Sequence, residues 1–111
     1  MTPFGQRIRD LRRQRGVTLK EMAAGLQISA AYLSALEHGR RGRPTPVLLH
    51  QICQYFNIIW DEAEELSQLA NLSHPKVTID TAGLHPLATE YANLLSRKIA
   101  DLDEETLRGL I

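Results

Sequence analysis

Apolar residues recur with helical spacing between Thr18 and Gly39, and this pattern predicts two short helices separated by a turn of about three residues. The first helix follows an i, i+3, i+4, i+7 pattern, filled by Leu19, Met22, Ala23 and Leu26. The apolar positions of the second helix are Tyr32, Leu33 and Leu36. Helices of about two turns are marginal in isolation, so the pair must bury these faces against further helices.

Polar residues mark the ends of both helices. Thr18 is an N-cap, and Glu21 three residues later completes a capping box. Ser29 gives the second helix its own start signal, and Gly39 supplies the left-handed residue that a helix C-terminus favours. These signals define the limits of both helices.

The spacing resembles the helix-turn-helix of the Cro/cI-type (Xre-like) transcriptional repressors, and the resemblance extends from about Arg7 to Asp61. The residues that carry it are Ala23, Ile28, Ser29, Leu33, Leu36, Glu37 and Gly39. It implies an all-α fold, a five-helix lambda-repressor-like DNA-binding domain. The family usually has glycine where Gln27 stands, and a left-handed Gln27 costs roughly 1 kcal/mol relative to glycine.

The resemblance also implies that the second helix lies in the major groove of DNA. The positions that it places at base edges are Ala30, Ala31, Ser34 and Ala35. Alanine cannot make a bidentate hydrogen bond, although its methyl can pack on a thymine methyl and its small size lets the helix sit deep. We therefore expect direct readout to depend on Tyr32, Ser34 and His38, with Ser29 as a cap or a phosphate contact. The alternative for Tyr32 is a half-buried core position.

Basic residues near the two helices are candidates for phosphate contacts. Thr18 and Lys20 lie at the start of the first helix of the pair, whose free N–H groups favour an anion. Arg40, Arg41 and Arg43 lie in a loop rich in Gly and Pro, beside the expected duplex. Each arginine taken singly has the alternative of a solvated surface group.

The resemblance gives Arg12 a separate role. A basic residue at this place in the family pairs with the acid near the end of the second motif helix, which is Glu37 here. We predict an Arg12–Glu37 ion pair that joins the first helix of the domain to the recognition helix and leaves the guanidinium close to the DNA backbone. The alternative is an exposed pair worth less than about 1 kcal/mol.

Three more helices complete the predicted N-terminal domain, residues 1–72. The first helix spans Pro3 to Arg15, the fourth Val47 to Phe56, and the fifth about Trp60 or Asp61 to Leu72. Pro46 lies at or near the first position of the fourth helix, where proline is favoured.

The segment 73–83 is predicted to be a linker. In it Val77 and Ile79 alternate with polar residues, as in a short strand. A single strand has no partner in a helical chain. It therefore either pairs with the same strand of a second subunit or is simply an extended linker.

The segment 84–111 is predicted to be helical and to dimerise. A sixth helix begins near Pro86, and a last short helix runs from Glu104 to Leu110 with Asp103 as its cap. Two recognition helices on half-sites about one DNA turn apart bind more tightly than one. The residues expected at the dimer interface are Val77, Ile79, Leu84, Leu87, Tyr91, Leu94, Leu95 and Ile99. The alternative is that this segment folds back on its own domain.

The formal net charge of zero conceals an asymmetry along the chain. Residues 1–43 contain nine Lys and Arg against three acids, whereas the rest contains four against ten. A basic half attached to an acidic half indicates a polyanionic partner for the first half.

Little else in the sequence suggests chemistry. Cys53 is the only cysteine, which excludes an intrachain disulfide and suits a reducing compartment. His50 and Cys53 are three residues apart but lack a third ligand, so we expect a core thiol, no metal and no cofactor. Catalytic motifs, Gly-rich phosphate loops, membrane-spanning runs and a secretion signal are absent, so we expect a cytoplasmic protein that is not an enzyme and has no membrane partner.

Together these features predict a homodimeric regulator whose partner is double-stranded DNA and which represses by occupying a two-fold symmetric operator. One alternative is an antitoxin, in which residues 81–111 neutralise a toxin while the N-terminal half represses its own gene. Another is a protein-interaction module that has kept the fold but lost specific DNA recognition, as the three alanines would allow.

Overall fold

The structure is a computed structural model that describes residues 1–111, and it is all-helical. Its helices are α1 (Pro3–Arg15), α2 (Leu19–Leu26), α3 (Ala30–Glu37), α4 (Pro46–Phe56), α5 (Trp60–Asn71), α6 (Pro86–Lys98) and α7 (Glu104–Leu110), with a 3-10 turn (Ile99–Asp101) after α6. The chain divides into two compact units, Met1–Val77 with α1 to α5 and Thr78–Ile111 with α6 and α7. The prediction of an all-α chain with a C-terminal helical extension is confirmed.

Helix ends follow local sequence signals. The Thr2 hydroxyl caps α1 by accepting a hydrogen bond from the Gly5 N–H at 3.0 Å, and Gly16 ends α1 in the left-handed conformation, with φ 64°. Helix α4 begins at Pro46, one residue earlier than predicted, because the Thr45 hydroxyl caps it and proline fits the first turn.

The core of the first unit receives side chains from all five of its helices. Its largest fully buried apolar side chains are Phe4, Ile8, Met22, Leu33, Leu36, Ile52, Phe56 and Leu66. Ala23 is also buried, as its place on the inner face of α2 predicts. The short helices α2 and α3 therefore have the apolar support that isolated two-turn helices lack.

Helix α1 approaches the C-terminal end of α3 very closely. A β-carbon added at Gly5 would lie 2.0 Å from the carbonyl oxygen of Glu37, so only glycine fits there. The same carbonyl accepts hydrogen bonds from the Thr2 N–H at 3.1 Å and from the Thr2 hydroxyl at 3.3 Å. The first turn of α1 thus fixes the end of α3.

Ser73 ties the end of the first unit to its beginning. Its hydroxyl accepts a hydrogen bond from the Phe4 N–H at 3.0 Å and donates one to the Leu69 carbonyl at 2.6 Å. Ser73 is buried, although the sequence places it in the linker. The chain therefore stays packed on the first unit beyond the end of α5.

The segment from Lys76 to Thr81 has no regular secondary structure, and the structure contains no strand. The side chains of Val77 and Ile79 are exposed. The short strand is therefore not formed within this chain, since no neighbouring segment offers it a backbone partner. Pairing with the same segment of a second subunit stays a prediction.

The second unit is helical but has no buried residue. The Asp103 carboxylate caps α7 by accepting a hydrogen bond from the Thr106 N–H at 2.8 Å. The Thr106 side chain and this backbone N–H together hold the pKa of Asp103 below its usual value. The exposed large apolar side chains of the second unit are Ile79, Leu84, Leu87, Tyr91, Leu94, Ile99, Leu110 and Ile111. In neither unit is a helix both long and apolar enough to cross a membrane.

Candidate nucleic-acid interface

Helices α2 and α3 are joined by the three residues Gln27, Ile28 and Ser29, as predicted. Gln27 adopts the left-handed conformation, with φ 59°, at the position where the family resemblance implies glycine. Its N–H donates to the Ala24 carbonyl at 3.1 Å, and the Ile28 N–H donates to the Ala23 carbonyl at 3.0 Å. These two bonds satisfy the end of α2 and turn the chain sharply into α3.

The hydroxyl groups expected at helix starts act as caps. Thr18 and Glu21 form a complete capping box, with bonds of 3.1 Å from the Glu21 N–H to the Thr18 hydroxyl and 3.3 Å from the Thr18 N–H to the Glu21 carboxylate. The Ser29 hydroxyl accepts from the Tyr32 N–H at 3.0 Å. Each cap occupies the third N–H of its helix, and the N–H groups of the first two residues of α2 and of α3 form no hydrogen bond within the chain.

Helix α3 presents one face to the core and one to solvent. Leu33, Leu36 and Glu37 are buried. The solvent side carries Ala31, Ser34, Ala35 and His38, which we call the outer stripe. Ala30 and Tyr32 pack against the core from the flanks of α3. Of the side chains expected at base edges, the structure therefore brings Ala31, Ser34, Ala35 and His38 together and leaves Ala30 and Tyr32 partly in the core.

His38 ends the outer stripe with a defined orientation. Its Nδ1 lies 2.9 Å from the Ser34 carbonyl oxygen, so a protonated Nδ1 donates to it. In that tautomer Nε2 is an acceptor, and the ring is exposed. His38 can thus offer one polar atom beyond the end of α3.

Arg12 and Glu37 form the predicted ion pair. The Arg12 Nη2 lies 2.9 and 3.0 Å from the two carboxylate oxygens of Glu37. The side chains are only 12% and 1% exposed, so the exposed-pair alternative is wrong. Burial raises the pKa of the Glu37 carboxyl, and the charge of Arg12 opposes this effect in part.

Burial also limits what Arg12 can do at a DNA surface. Its Nε is buried without a hydrogen-bond partner, and its guanidinium is committed to Glu37. Little of that guanidinium remains for a phosphate. In this structure Arg12 positions α3 by pairing with Glu37, and Thr2 and Gly5 contact the backbone of Glu37 as well.

The cations of the loop after α3 differ from one another. Arg40 and Arg41 are exposed and form no hydrogen bond or ion pair through their side chains. The Arg43 Nη1 donates instead to the Asn71 side-chain oxygen at 2.7 Å, which holds it against the end of α5. Lys20, in the first turn of α2, is exposed and unpaired. Three of the four basic side chains expected at phosphates are therefore free.

Two features of this region have no local sequence signal. Gly5 and Ser73 fix α1 against α3 and α5, and neither stands in a motif. The one available hint is glycine at position 5 inside a helical pattern, which costs about 1 kcal/mol relative to alanine unless packing requires it.

His50 and Cys53 lie beside an open cleft of about 650 Å³, which Ile58, Ile59 and Trp60 also line. Burial raises the pKa of the Cys53 thiol, which keeps it protonated. The chain has no group of three or more His, Cys, Asp or Glu side chains placed to hold a metal ion.

Comparison with known proteins places the motif in a family. A family model described as "Helix-turn-helix domain" matches residues 3–66, more than half of the chain. The uncharacterized HTH-type transcriptional regulator RghRB of Bacillus subtilis is 36% identical over 61 residues, which are 55% of this chain and 44% of that protein. The HTH-type transcriptional repressor RghR of the same organism is 33% identical over 61 residues, 55% of this chain and 45% of the relative.

A third relative matches over more of its own length. The uncharacterized HTH-type transcriptional regulator y4dJ of Sinorhizobium fredii is 39% identical over 54 residues, 49% of this chain and 69% of that protein. The match spans less than half the length of the two Bacillus relatives. No solved structure gives a significant match. The matched segment contains α1 to α4 and most of α5, so the chain belongs to the Xre/Cro-like helix-turn-helix family.

Proposed function

We propose that this protein is a sequence-specific DNA-binding transcription regulator, a repressor that acts as a homodimer on a two-fold symmetric operator. The observation that carries the proposal is the outer stripe of α3, in which Ala31 and His38 are exposed and Ser34 and Ala35 half-buried, with the exposed and unpaired cations Arg40 and Arg41 in the loop that follows. A helix placed in this way fits the major groove, with phosphate contacts from its flanks.

Electrostatics support a duplex as the partner. Lys20, Arg40 and Arg41 are exposed and unpaired, so their charges are available to phosphates without breaking a protein contact. The N-terminus of α2 adds the partial positive charge of its free N–H groups. The excess of base over acid in residues 1–43 extends this attraction beyond the contacting residues.

The second unit supports a dimer. Its 34 residues leave Leu87, Tyr91 and Leu94 exposed on one side of α6 and bury nothing. A segment of this size does not form a stable core alone, so a second copy is the partner that would cover these side chains. Two copies would also place two recognition helices on one operator, about one turn of DNA apart.

The test is binding of the purified protein to the DNA upstream of its own gene and to a scrambled duplex of equal length, each at about 50 and 200 mM salt. We expect a preference of about 10³-fold or more for the upstream fragment, retained at the higher salt. Equal binding that disappears at 200 mM salt would contradict sequence recognition and favour an interaction module.

A matched pair of variants tests the phosphate contacts. Arg40→Ala/Arg41→Ala is expected to weaken binding to both duplexes and to reduce the slope of log affinity against log salt by about 2 for each bound subunit, or about 4 for the proposed dimer. Lys76→Ala/Arg97→Ala removes the same charge from exposed positions outside α2, α3 and the loop. If the control pair reduced the slope as much, net charge alone would explain the effect.

A further inference from the structure

We propose that this protein recognises thymine methyl groups through Ala31 and Ala35, a specificity that rests on the proposed DNA-binding function. These residues lie on the side of α3 opposite the buried Leu33 and Leu36. Ala31 is exposed and Ala35 half-buried, and neither belongs to the hydrophobic core. Their methyl groups are therefore free for an external contact.

The shape of the outer stripe allows a close approach to the groove floor. Ser34 fills the place between the two alanines with another short side chain, and the first long side chain is His38 at the end of α3. An alanine methyl makes contact only when its partner carbon is within about 4–4.5 Å. Since the outer stripe carries no long side chain before His38, and Tyr32 packs against the core from the flank of α3, the helix backbone can come that near in a groove about 12 Å wide.

Chemistry then selects the base. An alanine methyl has no donor or acceptor, so it cannot recognise the polar edge of guanine, adenine or cytosine by a hydrogen bond. At those edges the methyl group would displace water that is hydrogen-bonded to the base, and it would form no hydrogen bond in its place. Thymine alone presents a methyl group in the major groove. Contact between that methyl group and an alanine methyl removes the apolar surface of both from water, which is favourable.

The spacing of the two alanines limits where the thymines lie. Four residues of α-helix rise about 6 Å, and base pairs are about 3.4 Å apart along the duplex. Ala31 and Ala35 therefore reach thymines within about two base pairs of each other. Ser34 and His38 lie beside them with polar atoms for neighbouring base edges.

The experiment removes the methyl groups without changing the sequence. The upstream fragment is amplified once with dTTP and once with dUTP, since uracil differs from thymine only by lacking the methyl. A scrambled fragment is prepared in both forms, and the affinity of the full-length protein for all four duplexes is measured by fluorescence anisotropy. Each lost methyl contact should cost about fourfold in affinity, so the upstream fragment should lose about tenfold or more. The two scrambled forms should agree within about twofold.

Variants assign the effect to α3. Ala31→Ser/Ala35→Ser replaces both methyl contacts by hydroxyl groups and should bind the two forms of the upstream fragment within about twofold of each other. Ala82→Ser makes the same chemical change at an exposed position in the second unit and should keep the full difference. Far-UV circular dichroism checks that the variants fold, and the wild-type comparison does not depend on them.

The outcomes separate this inference from the proposed function. Specific binding of the wild-type protein with no effect of uracil would overturn methyl recognition and leave the regulator proposal intact. A uracil effect that persists in Ala31→Ser/Ala35→Ser would overturn the assignment to these two residues. Absence of any preference for the upstream fragment over the scramble would overturn the proposed function, and methyl recognition with it.

Discussion

The backbone of Glu37 lies so close to Gly5 that a β-carbon at residue 5 would sit 2.0 Å from the Glu37 carbonyl oxygen and 2.7 Å from its Cα. The obstacle is backbone at the end of α3, which cannot move aside as a flexible side chain would. The position of α3 therefore depends on the absence of a side chain at residue 5 of α1.

Replacing this glycine should destabilise the first unit. We expect Gly5→Ala to lower the free energy of unfolding by about 2–3 kcal/mol, because α1 and α3 must separate, and to lower the melting temperature by about 10 °C or more. Thermal unfolding followed by circular dichroism measures this. Gly109→Ala is the matched control, since nothing lies within 4 Å of a β-carbon there. A Gly5→Ala variant as stable as this control would show that the close approach of Gly5 to Glu37 does not affect the free energy of unfolding.

Gln27 should behave in the opposite way. It holds φ 59°, which glycine adopts without strain, so we expect Gln27→Gly to stabilise the first unit by about 0.5–1 kcal/mol. The matched control is Gln54→Gly in the interior of α4, where glycine should cost about 1 kcal/mol. Urea unfolding of the two variants gives the comparison. Equal destabilisation by both would argue against the left-handed conformation of Gln27.

Removing one partner of the buried Arg12–Glu37 pair should lower the free energy of unfolding far more than removing one partner of an exposed pair. Arg12→Met leaves Glu37 buried without its cation, and we expect a loss of about 3–5 kcal/mol. Arg7→Ala removes the Arg7–Glu65 pair, 2.8 Å long but 40% and 61% exposed, and should cost less than about 1 kcal/mol. Similar losses for the two variants, measured by urea unfolding, would contradict the structural contrast.

The raised pKa of Glu37 predicts a pH dependence of stability. Between the ordinary glutamate pKa and the raised one, the folded state holds more protons than the unfolded state, so the free energy of unfolding falls as pH rises. The stabilisation linked to protonated Glu37 is complete below the ordinary glutamate pKa. It stops decreasing once the pH is above the raised pKa. The slope cannot exceed about 1.4 kcal/mol per pH unit for one group.

Comparison with Glu37→Gln isolates that group from the other acids. We expect the difference in unfolding free energy, wild type minus variant, to fall with increasing pH across the window and then to level off. Urea unfolding at half-unit steps from about pH 4 to pH 8 is sufficient. A difference that rises with pH would mean that Arg12 outweighs burial and depresses the pKa.

The dimer proposal makes a prediction of its own. Leu87→Glu/Leu94→Glu places charges on the apolar side of α6 and should reduce the mass in solution from that of a dimer to that of a monomer, measured by light scattering after size exclusion. Ser96→Glu adds a charge on the opposite side of α6 and should leave the mass unchanged. A dimer that survives the leucine changes would place the subunit interface elsewhere.

Local chemistry could be predicted from the sequence, and distant contacts could not. The caps at Thr18 and Ser29 and the turn between α2 and α3 follow from residues within four positions of one another, so the sequence contains their cause. The Arg12–Glu37 pair spans 25 residues and was predicted only through the family resemblance.

What the sequence missed depends on packing between helices. The contact of Gly5 with Glu37 and the bond from Phe4 to Ser73 join segments that come together only in the folded chain. Packing between helices also decides which side chains of α3 are exposed. The spacing did not predict that Ala30 packs against the core while Ala31 is exposed to solvent. The residues expected to contact DNA stay predictions until binding is measured.

The bond between Phe4 and Ser73 has a consequence for how the chain is made. It connects residues 69 positions apart, so the first turn of α1 cannot form this bond until Ser73 has been synthesised and has left the ribosome. The family match ends at residue 66, before this serine. A fragment cut at the end of that match would lack the hydrogen-bond acceptor for its own N-terminal turn, so the shortest independently stable piece should extend at least to Ser73.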